Sequence, residues 1–258
     1  MTNLKKTVFV TGAASGTGYA IAERFAKEGY DVFLGSRNLE GVHESAKTLA
    51  EKHGISAHGY EMNVYDESDT IRIFKDIRNK GYLLDCLVLN AANLGIGQDA
   101  LTVDIDEFMD VYTVNIRWNF MLARQAALHM KEKGKGSIVF IASNSAYRAT
   151  QNRVAYISSK SGILGMARAL ALDWGKFGIR VNSVLPGMIK TIRWENNYNN
   201  CRNSMANFTP LGDIAEFADV ANATWYLGSD EARNTTGAEL TVDGGNMIQL
   251  HPILPEEK

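Results

Sequence analysis

A tyrosine and a lysine stand four residues apart near the start of a segment that predicts a helix. They are Tyr156 and Lys160 in AYISSKSGILGMARALALDW, residues 155–174. Residues four apart lie on one face of a helix, so the ammonium group would lie near the phenol. An unperturbed tyrosine has a pKa of about 10, which is too high for a base near neutral pH. Because a nearby cation favours phenolate, the pair predicts a proton donor and acceptor with a lowered pKa.

A second motif with chemical meaning is the glycine-rich stretch TGAASGTG at residues 11–18, which follows an apolar run. Its glycines are Gly12, Gly16 and Gly18, and a predicted helix begins immediately after them. Glycine allows a tight turn and a close approach of backbone amides to a phosphate. The helix N-terminus adds free N–H donors and a partial positive charge. The stretch therefore predicts a cradle for a dinucleotide pyrophosphate.

The end of the second predicted strand indicates which dinucleotide is bound. Folds that prefer NAD place an acidic residue about 20 positions past the glycines, where it holds the ribose 2′-hydroxyl. Here the chain reads LGSRN, with Ser36 and Arg37 and no acidic residue. A hydroxyl and a guanidinium suit a 2′-phosphate, because arginine forms paired hydrogen bonds with phosphate oxygens. The sequence therefore predicts NADP(H).

Short β-branched runs alternate with longer amphipathic segments along the whole chain. This rhythm predicts a single-domain α/β fold, residues 1–258, with a doubly wound parallel sheet and helices on both faces. The strand candidates are mostly continuous apolar runs, which is typical of strands covered on both faces. They are 7–11, 31–36, 56–62, 84–90, 136–143, 179–186 and 238–244. The helix candidates are 17–28, 39–53, 67–79, 104–132, 153–176 and 214–228.

Composition narrows the classes of function. The 258 residues are 45% hydrophobic and 22% charged, with a net charge of −2, so nothing favours binding to nucleic acid or to an anionic membrane. The sequence shows neither a secretory signal nor an apolar run long enough to span a bilayer. Cys86 lies in an apolar run and Cys201 in a polar one, so we expect no disulfide and a reducing cytoplasm. The five histidines form no cluster, and we expect no metal.

Taken together, the ordered motifs resemble the short-chain dehydrogenase/reductase family, in its compact branch of about 250 residues. Besides those above, they are NAA at 90–92, Asn115 in TVNIR, Ser143, PG at 186–187 followed by Thr191, and VDGG at 242–245. The resemblance spans nearly the whole chain. It implies a Rossmann-type sheet of seven strands and an oxidoreductase that interconverts a secondary alcohol and a ketone.

The resemblance also implies roles for particular residues. Tyr156 would exchange a proton with the substrate oxygen, and Ser143 would hydrogen-bond that oxygen. Lys160 would tune the phenol and bind the nicotinamide ribose, and Asn115 would anchor a water that links Lys160 to solvent. The implied cofactor-binding set is Gly12, Ser15, Gly16, Thr17, Gly18, Ser36, Arg37, Asn63, Val64, Asn90, Ala91, Tyr156, Lys160, Pro186, Gly187, Ile189 and Thr191.

The substrate is the least determined point. Residues 188–212 interrupt the rhythm, and we expect them to form a lid. Its apolar side chains suit a ring system, and its arginines suit a polar or anionic end; these are Trp194, Tyr198, Met205, Phe208, Arg193 and Arg202. This pattern favours a hydroxysteroid or bile acid. A polyol, a sugar, or a 3-oxoacyl group on a carrier protein stays open, and a carrier would need a basic patch such as Lys131, Lys133 and Lys135.

Other functions and the assembly complete the expectations. A catalytically silent dinucleotide sensor is an alternative, although such proteins tend to lose the tyrosine or the lysine. A sugar-nucleotide epimerase would need a larger substrate domain. Helix 153–176 is expected to bury Ile157, Leu164, Ala167 and Leu172. Small residues on the two longest helix candidates suggest helix pairing in a homodimer or homotetramer; these are Ala123, Ala126, Ala127, Ala167, Ala169 and Ala171.

Overall fold

A computed structural model of the chain describes residues 5–191 and 207–251. Within them, seven parallel strands form one sheet in the order β3-β2-β1-β4-β5-β6-β7. The predicted fold class is therefore confirmed. The strands are β1 (Thr7–Thr11), β2 (Asp31–Ser36), β3 (Ala57–Glu61), β4 (Cys86–Leu89), β5 (Gly136–Ile141), β6 (Ile179–Pro186) and β7 (Glu239–Val242).

Helices cover both faces of the sheet. They are α1 (Gly16–Lys27), α2 (Leu39–His53), α3 (Glu67–Asn79), α4 (Ile105–Tyr112), α5 (Asn119–Lys133), α6 (Val154–Trp174) and α7 (Phe217–Gly228). One hydrophobic cluster packs α1, α2 and α7 against the sheet, and the other packs α3, α5 and α6 against its opposite face. None of the described helices combines the length and apolarity that crossing a membrane requires.

The continuous apolar strands follow from this double coverage. In β1, Val8 and Val10 belong to the cluster on one face, whereas Phe9 belongs to the cluster on the other. Successive side chains of a strand point to opposite faces, so a strand buried on both sides needs apolar residues at every position. All five residues of β1 are buried.

The segment 104–132, predicted as one helix, is interrupted. A π-helical turn over Thr113–Trp118 separates α4 from α5. Such a turn accommodates an extra residue, and π-helical turns are frequent at functional sites. The side chain of Asn115, in the middle of this turn, is completely buried. It contacts the loop that follows β4, so the interruption brings an element distant in sequence to the edge of the sheet.

The small residues proposed for helix pairing serve a different purpose in most cases. Ala169 is exposed, but the other five alanines are buried within the subunit, and each belongs to the core cluster that includes β4, β5 and β6. Small side chains let a helix approach the sheet closely. The prediction that these five form an intersubunit face is therefore wrong. They are Ala123, Ala126, Ala127, Ala167 and Ala171.

The buried face of α6 also differs in detail from the prediction. Leu164 and Ala167 are buried as expected, but Ile157 is only half-buried and Leu172 is 84% exposed. The buried positions near the end of the helix are 170 and 171, which continue the three- and four-residue spacing of a helix face. Leu172 lies about 100° further round the helix, and it therefore faces outward.

The sheet topology determines where a ligand fits. From β1 the chain continues to β2 and β3 on one side, and it later returns to add β4 on the other side of β1. In open α/β sheets, ligands bind at this switch point, outside the carboxyl ends of the strands. The glycine-rich turn follows β1 and the NAA motif follows β4, so both lie there.

Candidate active site

A cavity of about 800 Å³ opens at the carboxyl edge of the sheet. It brings the glycine-rich turn together with the predicted proton-transfer residues. Eight predicted site residues line it: Ser15, Gly16, Thr17, Ser143, Tyr156, Gly187, Ile189 and Thr191. The remaining lining residues are Leu94, Asn144, Ser145, Arg148, Ala149, Thr150, Arg153, Met188, Phe208, Phe217 and Asn246.

The glycine-rich turn has the geometry that its sequence predicts. Gly12 and Gly16 have φ of 66° and 59°, in the left-handed region that side chains disfavour. A Cβ atom on Gly18 would lie 2.1 Å from the carbonyl oxygen of Gly12, so no side chain fits there. Helix α1 begins at Gly16 with no acidic residue in its first turn and no side-chain cap from Ser15. Its N–H groups are therefore available to a phosphate.

Asn90 and Ala91 hold this turn in place. The Asn90 amide donates from Nδ2 to the carbonyl oxygens of Thr11, at 3.0 Å, and Gly12, at 3.2 Å. The backbone N–H groups of Asn90 and Ala91 both donate to Oγ1 of Thr11, at 3.0 Å. These bonds join the ends of β4 and β1 and orient the cradle. Thr11 takes part in three of these four hydrogen bonds, yet sequence reasoning did not single it out.

A separate cavity of about 420 Å³ lies where β2 and β3 end. Arg37, Asn63 and Val64, three of the residues predicted to bind the cofactor, line it. Among the described residues, Arg37 has no ion-pair or hydrogen-bond partner, whereas Arg72 in the same cavity is paired with Asp69 at 2.5 Å. The free guanidinium of Arg37 is therefore the cation available here.

The two polar neighbours of Arg37 in the prediction are partly engaged with the backbone. Oγ of Ser36 accepts a hydrogen bond from the N–H of Asn38, at 3.1 Å, and its hydroxyl proton is still available to a ligand. Oδ1 of Asn63 accepts from the N–H of Tyr65, at 3.0 Å. The NH₂ of Asn63 and the second lone pair of its Oδ1 are thus left to meet an adenine.

Ser143 lies two residues beyond β5. Its side-chain oxygen accepts a hydrogen bond from the N–H of Ser145, at 3.1 Å, and caps the short turn Asn144–Ala146. This bond fixes the rotamer of Ser143 and leaves its hydroxyl proton free to donate. Ser143 and Tyr156 line the same cavity, and their side chains are close enough to hydrogen-bond each other.

The electrostatics of Tyr156 differ from the prediction. Burial raises the pKa of the phenol above its ordinary value of 10.0, and a hydrogen bond with Ser143 and the nearby charge of Arg153 oppose this shift. Lys160 is not among the groups that lower the pKa of Tyr156. The expected lowering therefore does not occur in this state, because desolvation of the phenolate outweighs the Ser143 hydrogen bond and the charge of Arg153.

Lys160 is directed to the strand end rather than to the phenol. Its Nζ donates to the carbonyl oxygen of Ile141, at 2.7 Å, and lies 5.7 Å from the centre of the Tyr156 ring. The side chain is buried, and burial lowers the pKa of the ammonium group from 10.5 to about 8. Near neutral pH the group still carries its proton for the most part, close to the phenol.

Asn115 anchors the loop after β4. Its Oδ1 accepts from the N–H of Asn93, at 2.8 Å, and its Nδ2 donates to the Asn93 carbonyl, at 2.9 Å, and to Oγ of Ser159, at 3.0 Å. Asn93 in turn donates from Nδ2 to Asp110, at 2.7 Å, and Asp110 accepts from the Tyr65 hydroxyl, also at 2.7 Å. The side chain of Asn115 is therefore structural here. Its predicted role in holding a water stays a prediction.

The segment after β6 completes the cavity wall. Pro186 is the last residue of β6, and the Gly187 N–H donates to the Val242 carbonyl, at 2.9 Å. A Cβ atom on Gly187 would lie 2.5 Å from the Cβ of Asp243, so glycine is required there. Within the predicted lid, Met188, Ile189, Thr191 and Phe208 line the cavity. Trp194, Tyr198, Met205, Arg193, Arg202 and Cys201 lie outside the described residues.

Several cavity residues were not found from the sequence. Arg148 and Arg153 belong to the connection between β5 and α6, and Asn144 and Asn246 are joined by a hydrogen bond of 3.1 Å. Phe217 begins α7 and faces the turn at Gly16. The position of the two arginines between Ser143 and Tyr156 was a usable signal, because that connection must pass the site.

Comparison with known proteins agrees with this geometry. A family model described as enoyl-(acyl carrier protein) reductase matches residues 12–246. The chain belongs to the short-chain dehydrogenase/reductase family. Sorbose reductase from Schizosaccharomyces pombe is 35% identical, over 93% of this chain and 95% of that protein. A 7α-hydroxysteroid dehydrogenase from Clostridium sardiniense is 32% identical, over 93% of this chain and 92% of its own.

Solved structures place this family member on the same fold. The 3-ketoacyl-(acyl-carrier-protein) reductase of Brucella melitensis, complexed with NADH, superposes with a TM-score of 0.86 and is 29% identical. The match covers 95% of this chain and 100% of that one. The relatives act on sugar, steroid and acyl substrates by their names. Oxidoreduction of an alcohol or a ketone is therefore the shared chemistry of this short-chain dehydrogenase/reductase.

Proposed function

We propose that the protein is an NADP(H)-dependent oxidoreductase that interconverts a secondary alcohol and a ketone. The observation that carries this proposal is one cavity that contains the phosphate-binding turn Ser15–Thr17 together with Ser143 and Tyr156. The bound nicotinamide supplies or accepts the hydride at the substrate carbon. The site residues that we assign to the cofactor are those predicted from the sequence.

Tyr156 handles the proton in this mechanism. In ketone reduction its hydroxyl donates a proton to the carbonyl oxygen, and the Ser143 hydroxyl holds the same oxygen by a hydrogen bond. The raised pKa keeps the phenol protonated at neutral pH, which suits a donor. Lys160, which is still largely protonated, stabilises the phenolate left behind. In alcohol oxidation the same groups act in reverse, and a higher pH favours this direction.

The preference for NADP(H) rests on Arg37. Its guanidinium is unpaired within the described part of the chain and lies at the end of β2, where a ribose 2′-phosphate would be bound. Arginine forms paired hydrogen bonds with phosphate oxygens, and the free proton of Ser36 adds a donor. This contact would favour NADP(H) over NAD(H).

Replacement of Tyr156 by phenylalanine tests the reaction. We expect Tyr156→Phe to lower kcat by at least about a thousandfold, since the proton donor is lost. NADPH affinity, measured by fluorescence titration, should change by less than about threefold. The matched control is Tyr226→Phe, on an exposed tyrosine of α7. Substantial turnover by Tyr156→Phe would refute the mechanism, and NADPH binding without any turnover of ketones by the wild type would favour the silent sensor.

Replacement of Arg37 by aspartate tests the choice of cofactor. We expect Arg37→Asp to reduce the ratio of kcat/KM for NADPH to that for NADH by about a hundredfold, because a carboxylate repels the 2′-phosphate and accepts from a 2′-hydroxyl. Lys75→Asp, an equal charge change on the exposed face of α3, is the control. An unchanged ratio in Arg37→Asp would remove the basis for NADP(H).

The choice of substrate has three candidates. The hydroxysteroid or bile acid proposal is supported by the apolar cavity residues Leu94, Met188, Phe208 and Phe217. Sugars and polyols fit the polar groups around Ser143 equally well. For a carrier-bound acyl group, the expected basic patch is misplaced. Lys131 and Lys133 end α5 next to the start of β5, opposite the site, and Lys133 contacts Asp85, so this patch cannot dock a carrier at the cavity.

The assembly and setting are also proposals. We expect the whole chain to form one domain in which residues 188–212 cover the substrate. We propose a homodimer or homotetramer in the cytoplasm. Exposed apolar side chains on α5 and α6 support the assembly; they are Phe120, Leu128 and Leu172.

A further inference from the structure

Two arginines give the cavity an unbalanced positive charge. Arg148 and Arg153 line it, whereas no aspartate or glutamate does so among the described residues. Both arginines are half-buried, and neither forms an ion pair with a described acidic residue. Glu107 lines a small neighbouring cavity together with Arg153 but is not within ion-pair distance of it. A half-buried charge without a counter-ion is unfavourable unless a ligand supplies one.

Each guanidinium is held from one side only. Nη1 of Arg148 donates to the carbonyl oxygens of Asn246 and Gln249, the latter at 2.7 Å. Nη1 of Arg153 donates to the carbonyl oxygens of Leu94 and Gly95, at 3.2 Å each. A guanidinium has five N–H donors, so Nε and Nη2 of both remain without a partner in the described chain. This is the edge that binds a carboxylate with two parallel hydrogen bonds.

The two arginines lie on the substrate side of the cavity. Arg148 follows Ser143 by five residues, and Arg153 precedes Tyr156 by three and is close enough for its charge to lower the pKa of that phenol. The phosphate-binding turn instead belongs to the connection between β1 and α1. Asn152, immediately before Arg153, is the one described non-glycine residue with positive φ, at 60°. An unusual backbone conformation therefore sets the direction in which Arg153 leaves the loop.

We propose that the substrate carries a carboxylate, which Arg148 and Arg153 bind while its alcohol or ketone carbon lies beside Ser143 and Tyr156. This inference rests on the proposed function and narrows its substrate class to hydroxy acids and oxo acids. Among the substrate classes considered above, it retains bile acids and sugar acids, which carry a carboxylate. It excludes neutral steroids and polyols, which do not.

Matched ketones test the charge preference. The first pair is 5-keto-D-gluconate and L-sorbose, which share one carbon skeleton and differ by a carboxylate or a hydroxymethyl at one end. The others are a 7-oxo bile acid and acetoacetate, each with its carboxamide. The pair that the enzyme reduces fastest with NADPH decides the question. Within that pair, we expect kcat/KM of the charged ketone to exceed that of the uncharged ketone by about 10- to 100-fold. Equal or better turnover of the uncharged member would overturn the inference.

Variants assign the preference to the arginines. We expect Arg148→Gln and Arg153→Gln each to lower kcat/KM for the charged ketone about 10- to 100-fold more than for its uncharged partner, mainly through KM. Arg148→Gln should change kcat/KM for the uncharged ketone by less than about threefold, whereas Arg153→Gln should also change kcat for both ketones alike, because its charge acts on Tyr156. Arg148→Lys and Arg153→Lys should recover part of the loss. Arg233→Gln, on an exposed arginine at the opposite end of the sheet, is the control. Weaker NADPH binding with an unchanged charge preference would mean that the arginines serve the cofactor, which overturns the inference.

A binding measurement separates this inference from the proposed function. Calorimetry on the NADP⁺-saturated protein compares tartrate with threitol, which have one skeleton and differ in charge. Arginine-dependent binding of tartrate but not threitol supports the anion site even if no ketone is reduced, in which case only the proposed reaction fails. If charged and uncharged ketones are reduced equally well, the proposed reaction is supported and the carboxylate site is contradicted.

Discussion

The burial of Lys160 lowers the stability of the fold at a position where the proposed mechanism uses a cation. Its side chain is 3% exposed, and the hydrogen-bond acceptor of its ammonium group is the Ile141 carbonyl. Burial lowers the pKa from 10.5 to about 8. A change of this size corresponds to roughly 3 kcal/mol of destabilisation while the group is charged, at one pKa unit per ~1.4 kcal/mol. The fold tolerates this cost at the position where the proposed mechanism places a cation near Tyr156.

Because burial of the charged lysine is destabilising, a variant without this charge should be more stable than wild type, although inactive. We expect Lys160→Met to raise the free energy of unfolding at pH 7 by about 1–3 kcal/mol, the lower value allowing for the unpaired Ile141 carbonyl. Between pH 8 and 10.5 the unfolded chain keeps the lysine proton and the folded chain has lost it. The free energy of unfolding of the wild type therefore increases relative to that of the variant as pH rises over this range.

Urea unfolding of the cofactor-free protein at pH 7 and pH 9.5 measures this difference. Because other titrating groups are common to both proteins, they cancel in the comparison. Lys75→Met, on an exposed lysine of α3, should show no pH-dependent difference. The assigned burial cost would be contradicted if Lys160→Met were less stable than wild type at pH 7. It would also be contradicted if the stability difference in favour of the variant grew with pH.

Residue spacing predicted that Tyr156 and Lys160 lie close together, but it did not predict their electrostatics. The spacing of Tyr156 and Lys160 places them on one face of α6, and that part of the prediction needs only helix geometry. The direction of the Tyr156 pKa depends on how deeply the phenol is buried and on Arg153, which the motif does not contain. Burial is a property of the folded chain, so residue spacing alone gave the wrong sign.

At the scale of elements, helix bounds were predictable where a side chain marks them. The bounds of α2 and α3 agree with the prediction, because Asn38 and Asp66 cap their first N–H groups. The left-handed Gly54 ends α2. Helix α7 begins at Phe217 rather than 214, since Glu216 and Asp219 form a capping box there. That signal was present in the sequence and was missed.

The π-helical turn was not predictable in the same way. Thr113–Trp118 continues the helical hydrophobic pattern of its neighbours, with Val114 and Trp118 buried. Its cause is tertiary, since Asn115 must reach Asn93 and Ser159. The turn thus couples three elements: the loop after β4, the helix pair α4–α5, and α6 near Tyr156.

Removal of this coupling should destabilise the protein. We expect Asn115→Ala to lower the free energy of unfolding by about 2–3 kcal/mol, because two half-buried backbone groups of Asn93 and the buried hydroxyl of Ser159 lose a hydrogen-bond partner. Asn222→Ala, which removes an exposed asparagine bonded to Arg24, should cost less than about 0.5 kcal/mol. Equal stability of Asn115→Ala and wild type in urea unfolding would show that the network is not structural.

At the scale of the whole molecule, the topology explains why distant motifs converge. The glycine turn, the NAA motif, Ser143 and Gly187 each follow a different strand, and all the strands are parallel. Their carboxyl ends therefore meet at one edge. Residues separated by more than 170 positions can line one cavity because only loops are placed there, while both faces of the sheet are filled by the two core clusters.

The outer surface formed by α5 and α6 is where we expect a second subunit to bind. With the five alanines inside, the exposed apolar side chains of α5 and α6 are what a second subunit would cover, and Leu128 and Leu172 are 55% and 84% exposed. We expect wild type to be a dimer or tetramer in light scattering. Leu128→Glu/Leu172→Glu should shift it to a smaller species, because two carboxylates would be buried in each contact. The control Ile71→Glu, on an exposed residue of α3, should leave the mass of the assembly unchanged. An unchanged mass for the double variant would show that the subunit contact lies elsewhere.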